Sequence, residues 1–389
     1  MSIKSGIEQL RLTNFRSYSF LNMDLSSSFE PVILTGHNGA GKTNILEAIS
    51  FLTPGKGLRS ARLSDVAKRE MMDFLPETDV ASLPPRWGVS AQVNMAGMAS
   101  KIGTGTIDGS DRRQVRIDGK TTSKQSDLAH VFKCLWLTPA QDRLFCGDPQ
   151  ARRRFLDRLV QAFDETHASR LSEYNQVFKQ WSCLLREGRF DNRWLSGLEE
   201  QLVSYGVAIA ASRLDVIERM TRYLKEPVAD IFPTAEIILT GSVEQSLLEK
   251  SAVQAEEIFL NRLQSSRKIY ADGGAVSGPH TADFKVIHAQ KRMDASLCST
   301  GEQKALLLSI ILAEMNTQMQ EQGICPLLLL DEAIAHLDSK RRHILFDVLV
   351  NLPAQVWMTG IDSENFDYLN GRAQFYNVQE SNLSLKNVA

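Results

Sequence analysis

The chain has 389 residues, 43% of them hydrophobic and 23% charged, and its 44 Lys and Arg against 46 Asp and Glu leave a net charge of −2. That length exceeds the ~250–300 residues at which a single core stops growing, so two lobes are expected, and the near-neutral balance excludes a surface that is basic throughout, leaving nucleic-acid contact to a local patch. No apolar run approaches the ~20 residues of a membrane span, MSIKSGIEQLRL lacks the apolar core of a secretory signal, and Cys134, Cys146, Cys183, Cys298 and Cys325 show no C-x-x-C spacing, so a cytoplasmic protein without zinc, disulfides or a membrane partner is expected.

From Ile7 to Arg16 the sequence IEQLRLTNFR alternates through Leu10 and Leu12 as a half-buried strand does, and breaks at Asn14. A polar turn at Ser26, Ser27 and Ser28 separates it from a second strand, giving two strands before the first helix. That second strand, Val32-Ile33-Leu34, runs into Gly36-His37-Asn38-Gly39-Ala40-Gly41-Lys42-Thr43, and after Asn44 the apolar positions Ile45, Ile49 and Leu52 mark a helix. Strand, glycine loop and helix are the context in which G-x-x-x-x-G-K-[ST] reads as a phosphate site. Glycines let the backbone curl with its N–H groups inward, and the helix brings its positive end to the same point. Lys42 can then reach the β- and γ-phosphates, and the Thr43 hydroxyl can ligate the Mg²⁺ that bridges them.

Thr53 to Glu70, opened by Pro-Gly and carrying Lys56, Arg59, Arg62, Lys68 and Arg69, reads either as a solvated loop or as a functional one. Short alternating runs from Trp87 to Arg116 predict an antiparallel meander, with Ile117-Asp118-Gly119-Lys120 as a hairpin turn. Cys134 to Leu137 is a buried strand ending at Thr138-Pro139. Beyond Gly147 the texture becomes helical: Leu156, Leu159, Val160 and Phe163 share a face. Leu171, Tyr174, Phe178, Trp181 and Leu185 step by three and four, and Leu195 to Ile209 repeat the pattern after a break at Glu187 to Asn192. Two such stripes predict an antiparallel helical hairpin whose aromatics are packing, tapering near Leu224 before Pro227. A strand at Ile237 to Gly241, a helix over Ala252 to Leu263 and a glycine-rich passage ending in a strand follow.

The C-terminal quarter supplies the chemistry. Pro326 to Leu330 is an apolar strand running into Asp331-Glu332, and carboxylates there are costly unless a cation meets them. Asp331 is placed to hold Mg²⁺ and Glu332 to polarise an attacking water. Upstream, Ser299-Thr300-Gly301-Glu302-Gln303-Lys304 opens a long helix with an N-cap hydroxyl and free N–H groups, an anion site. Downstream, Ala335-His336-Leu337-Asp338 starts another helix, and the strand Gln355 to Met358 ends in Thr359-Gly360.

This order of motifs resembles the ABC-type ATPases of the SMC and RecF superfamily, and within it the RecF family. The residues are LRLTNFRSY at Leu10 to Tyr18, GHNGAGKTNILEAI at Gly36 to Ile49, GLRSARLSDV at Gly57 to Val66, RRRFLDRLV at Arg152 to Val160 and GPHTADFKV at Gly278 to Val286, spread over nearly the whole length. The resemblance implies an α/β fold: an ABC-type P-loop ATPase head, with a mixed sheet and an antiparallel meander, interrupted by a mainly helical lobe. The head would take residues 1–146 and 271–389, and the lobe residues 147–270. It implies ATP as ligand and a homodimer closed by ATP, in which Ser299, Gly301 and Glu302 of one copy complete the γ-phosphate site of Lys42 and Thr43 in the other, with Asp338 on the loop crossing the interface. It further implies weak ATPase activity, clamping of DNA at gaps and single-strand to double-strand junctions, cooperation with RecO and RecR, and support of RecA loading.

Two departures from the family pattern stand out. Pro139-Ala140-Gln141-Asp142 occupies the loop of the nucleotide-sensing Gln, making Gln141 the candidate sensor, and Thr359-Gly360-Ile361-Asp362 replaces the usual switch His, which implies slow turnover. For DNA, two basic clusters are candidates: Arg59 and Arg62 with Lys56, Lys68 and Arg69, and Arg152, Arg153 and Arg154 with Arg158. The alternative for the second cluster is that it pairs with carboxylates between the lobes or faces water. Competing classes share the nucleotide machinery. A transporter subunit would carry an L-S-G-G-Q signature and no large helical insert, and an ABC-type nuclease would need a further metal-dependent domain.

Overall fold

The computed structural model describes residues 4–25, 29–68, 86–107, 112–122, 124–188, 191–226, 232–335 and 337–386. The expected turn at Ser26 to Ser28, and Arg69, Pro227 and His336, lie outside the described residues. The chain divides into two compact units, residues 1–142 with 318–389, and residues 143–317.

The first unit holds two six-stranded sheets. One is antiparallel, built from β1 (Gly6–Phe15), β2 (Tyr18–Asp24), β4 (Gly88–Met95), β5 (Met98–Thr106), β6 (Arg113–Ile117) and β7 (Lys120–Thr122), in the order β2-β1-β4-β5-β6-β7. Three strands, not two, therefore precede the first helix. Asn14 and Arg16 take positive φ, and Phe15 pairs with Tyr18 across the resulting tight turn, so the break at Asn14 is a hairpin that sends Leu21 and Met23 back into the core. Asp118 and Gly119, both at positive φ, form the expected hairpin turn between β6 and β7.

The other sheet runs β15-β14-β3-β13-β12-β8. Its strands are β3 (Val32–Thr35), β8 (Cys134–Leu137), β12 (Leu327–Leu330), β13 (Val356–Gly360), β14 (Gln374–Gln379) and β15 (Asn382–Leu385), and all pairings but that of β15 are parallel. Strands covered on both faces are apolar without alternation, and β3, β12 and β13 are buried at every position. Val32, Leu34, Leu327, Leu329 and Trp357 face a core shared with Leu10, Leu12, Val89 and Val93 of the antiparallel sheet and with Ile45, Leu46 and Ile49 of α1 (Lys42–Ser50). The α8 helix (Ser339–Val350) belongs to this unit too.

The second unit is built from α2 (Pro149–Gln161), α3 (His167–Arg186), α4 (Asn192–Lys225), α5 (Ser242–Glu249) and α6 (Ala252–Ala271), with a three-stranded sheet in the order β11-β10-β9. The sheet strands are β9 (Ala235–Thr240), β10 (Asp283–His288) and β11 (Met293–Asp294). Asp191 caps α4 through the N–H groups of Arg193 and Trp194, closing the hairpin of α3 and α4 where the sequence breaks. The unit continues past residue 270 because β10 pairs antiparallel with β9 over six residues, and the chain returns to the first unit within α7 (Thr300–Gln322). The Ser299 motif thus belongs to the second unit, whereas the sequence reading assigned it to the head.

The aromatic stripe is core, as its spacing implies: Trp181 and Tyr174 are buried with Phe259 and Tyr270, and the Trp181 and Tyr270 rings lie 4.9 Å apart. Trp181 Nε1 donates to Glu199 at 3.0 Å, and Arg267 neutralises that carboxylate. A second buried ion cluster centres on Arg213 of α4. Its guanidinium donates to both oxygens of Asp157 (2.8 and 3.1 Å), to Glu244 (3.3 Å) and to the carbonyl of Pro279 (2.8 Å), and His167 Nε2 meets the same Asp157 at 2.9 Å. Buried charges persist only when matched in this way.

Candidate nucleotide site

In the first unit, the phosphate loop links β3 to α1. Gly36, Gly39 and Gly41 all have positive φ, and at two of them a side chain has no room. A Cβ on Gly36 would lie 2.2 Å from the Val378 carbonyl, and one on Gly41 2.7 Å from Tyr18 Oη. Lys42 is buried; its Nζ donates to the carbonyls of Gly36 (2.6 Å) and His37 (2.9 Å), so the ammonium sits inside the curl of the loop. Burial lowers the Lys42 pKa, opposed by the nearby charges of Glu332 and Asp331. His37, Asn38 and Gly39 form the exposed lip.

The acidic pair meets this loop at the carboxyl ends of the parallel strands, where open α/β sheets bind ligands. Thr43 Oγ1 donates to Asp331 Oδ1 at 2.9 Å across 288 residues of sequence. Thr359, at the end of β13 between them, donates to the same oxygen at 2.7 Å and accepts the Glu332 N–H at 2.9 Å. Glu332 itself has φ of +50°, a backbone conformation uncommon outside glycine. Thr43 and Asp331 offer a hydroxyl and a carboxylate, hard oxygen donors suited to a Mg²⁺ that completes its shell with phosphate and water. Among the described residues no group of three or more His, Cys, Asp or Glu is arranged to hold a metal.

Around the loop lies a set of contacts that the sequence reading missed. Glu47, fully buried in α1, accepts two hydrogen bonds from Arg16 (2.9 and 2.6 Å) and one from Arg59 (3.2 Å). Arg59 also donates to Asn44, whose amide holds Ser17. The signal was a carboxylate between Leu46 and Ala48 on a helix face otherwise apolar, which demands a cation. Arg113 fixes the far end of α1: it donates to the carbonyls of Phe51 and Thr53 and to Thr104, and burial pulls its pKa down to about 10.

Gln141 lies on the turn after β8, but its Oε1 accepts from the backbone N–H and hydroxyl of Thr138, so its side chain caps its own turn. Asp338 caps α8 through the Arg341 N–H and is otherwise exposed. Gly360 leaves no space for a switch side chain, because a Cβ there would lie 2.4 Å from the Phe366 ring.

In the second unit, Ser299 and Glu302 form a reciprocal cap on α7. The Ser299 N–H and hydroxyl donate to Glu302 (3.0 and 2.9 Å), and the Glu302 N–H donates back to Ser299 Oγ at 3.4 Å. Lys291 binds the other carboxylate oxygen, and these contacts hold the Glu302 pKa down at about 2. Gly301 sits within this turn. Of the arginines at the start of α2, Arg152 pairs with Asp283 (2.8 and 2.9 Å) and Arg153 donates to the Ala282 carbonyl. Both therefore hold the A-D of GPHTAD, while Arg154 is exposed. Arg59 and Arg62 are exposed in the first unit.

The model of the RecF/RecN/SMC N-terminal domain matches residues 6–383. A DNA replication and repair protein RecF of Allorhizobium ampelinum is 40% identical over 393 residues, covering 99% of this chain and all of the relative. The RecF of Mesorhizobium japonicum is 42% identical over 97% of both chains. The chain belongs to the RecF family. The RecF fold is also matched in three dimensions. A solved structure of the recombination mediator protein RecF-ATPrS in the RecFOR pathway superposes with a TM-score of 0.83 over 99% of both chains at 21% identity. The SMC head domain of Pyrococcus furiosus superposes with a TM-score of 0.53 at 16% identity. The ABC-type ATPase head expected from the motifs is thus the observed fold. Among the described residues, no helix is long and apolar enough to cross a membrane.

Proposed function

We propose that this RecF-family protein is a DNA replication and repair ATPase that closes as a homodimer on ATP and opens on hydrolysis. The observation that carries the reading is the junction of Thr43 and Asp331 at the carboxyl ends of β3 and β12, which sets the phosphate loop beside the acidic pair. Lys42 holds the β- and γ-phosphates and the loop N–H groups cradle them. Thr43 and Asp331 would hold Mg²⁺, which would supply neutralisation of phosphate charge, and Glu332 polarises the attacking water. Ser299, Gly301 and Glu302 of a second copy complete the γ-phosphate site, with Asp338 at the crossing loop. Gln141 senses the nucleotide once its side chain leaves Thr138. The tight packing at Gly360, with no switch His, supports slow turnover suited to a clamp.

The closed dimer holds gapped or junction DNA, through Arg59, Arg62 and Arg154, in a salt-sensitive and sequence-indifferent way. Arg152 and Arg153 serve this surface indirectly, by fixing α2 against residues 282–283. The clamp works with RecO and RecR in the cytoplasm to support RecA loading.

Light scattering with and without ATP tests the dimer. The parent should double in mass on ATP, and Ser299→Arg should stay monomeric while binding nucleotide; a Ser299→Arg variant that still dimerises removes the shared pocket. Glu332→Gln should slow release from gapped DNA, and equal dissociation rates for variant and parent would remove Glu332 from hydrolysis.

A further inference from the structure

We propose that Thr359 is a positioning residue for ATP hydrolysis, its hydroxyl coupling the metal-binding carboxylate Asp331 to the backbone of Glu332; the inference rests on the ATPase reading above. Thr359 is 1% exposed and is the last residue but one of β13, the strand lying between the phosphate-loop strand β3 and the acidic strand β12. One hydroxyl does two jobs there. It donates to Asp331 Oδ1 at 2.7 Å and accepts the Glu332 N–H at 2.9 Å. Asp331 Oδ1 receives a second hydroxyl, that of Thr43, at 2.9 Å. A continuous line of hydrogen bonds therefore runs from the phosphate loop through Asp331 and Thr359 to the amide of Glu332.

The amide matters because Glu332 is held at φ +50°, where a non-glycine residue persists only if its surroundings over-determine it. The bond from the Glu332 N–H to Thr359 is such a constraint, and the direction in which the Glu332 side chain leaves the backbone depends on it. Were the Thr43 hydroxyl to turn to a metal, Asp331 Oδ1 would lose one donor and keep the other, Thr359. The line then transmits the position of Asp331 to Glu332 through Thr359 alone. The next residue of β13 cannot share the task, since a side chain at Gly360 would enter the Phe366 ring. Thr359 is thus the last β13 side chain able to report on the phosphate end of the site. Valine has nearly the same shape but neither donates nor accepts, whereas serine keeps both functions.

The test uses the full chain as parent, Thr359→Val and Thr359→Ser. Turnover of ATP is measured with Mg²⁺, and equilibrium ATP binding with Mg²⁺ and in EDTA. Thr359→Val should lower kcat about 10- to 100-fold, the cost of misplacing a reacting group by a fraction of an ångström to an ångström. It should keep the parental ATP affinity in EDTA and show a smaller gain in affinity from Mg²⁺. Thr359→Ser should retain most of the rate and the full Mg²⁺ gain. Parental kcat in Thr359→Val overturns the inference, and so does a Thr359→Ser variant as impaired as Thr359→Val, which would show that keeping the hydroxyl does not keep the rate. If the parent shows no ATP turnover with Mg²⁺, the ATPase reading itself has failed; if the parent turns ATP over and Thr359→Val is unimpaired, only the role of Thr359 has.

Discussion

The phosphate-loop cluster of the first unit and the Ser299 tip of the second are built on opposite plans. In the first, Thr43, Asp331 and Glu47 are buried or half-buried and held by residues distant in sequence: Thr43 by Asp331, Asp331 by Thr359, Glu47 by Arg16 and Arg59. In the second, Ser299 is held by Glu302 three residues on and Glu302 by Lys291 eleven residues back, all near the surface. A site assembled from strand ends arrives preorganised and changes little when it binds. A helix tip that satisfies its own hydroxyl must exchange that bond for an external one, so it suits the half of a machine that engages and releases.

Four measurements can break or sharpen this contrast. The largest effect is expected at the turn of the second unit, where Tyr174 Oη meets His280 Nδ1 at 2.7 Å and His280 is kept neutral, burial being the main cause of a pKa lowered from 6.5 to about 4. As pH falls through that window the unfolded chain takes up a proton that the folded one refuses. Stability of this unit should drop by up to about 3 kcal/mol between the two values and then level off. Urea melts monitored by Trp fluorescence across that range check it, and His280→Gln should flatten the profile. Next, Lys42→Ala should weaken ATP binding about 10- to 100-fold, the worth of a charge-assisted contact to phosphate, in equilibrium binding of labelled nucleotide.

A smaller change is expected from Gly360→Ala, which forces the buried Phe366 ring aside and should cost about 1–2 kcal/mol of stability, read as a lowered Tm. An unchanged Tm would mean that the end of β13 has room after all. The smallest belongs to the helix tip. Lys291→Gln removes the cation from Glu302, and because Lys291 is half exposed the loss should be about 1 kcal/mol or less. It would appear as weaker ATP-driven dimerisation by light scattering, and Lys291→Arg, which keeps a cation there, should stay close to the parent.

What the sequence revealed follows the same division. The strand, loop and helix around Lys42, the acidic strand before Asp331 and the cap at Ser299 are each written within a dozen residues, in apolar runs, glycines and an S-x-x-E spacing, and all were legible. Thr359 and the Arg16 partner of Glu47 were not, because a hydrogen bond spanning 28 or 31 residues leaves no periodic trace. Arg152 and Arg153 looked like a patch for DNA because an Arg run does not disclose that its carboxylate lies at Asp283, 131 residues away. The boundary near 270 failed for a related reason: β9 and β10 enclose two helices, and only their pairing shows that residues 271–317 stay with the helical unit. The strand β2 was hidden by a two-residue turn with no glycine.

Arg213 has a consequence for how the second unit comes apart. One guanidinium clasps α2 through Asp157, α5 through Glu244 and the GPH turn through the Pro279 carbonyl, so freeing either helix costs the buried cation a carboxylate and freeing the turn costs it an acceptor. Fraying piece by piece is thereby discouraged. The amides of α2, the middle of α4, α5 and residues 278–281 are expected to exchange with deuterium together, as one cooperative foldon, with protection collapsing across all four at once when Arg213 is replaced.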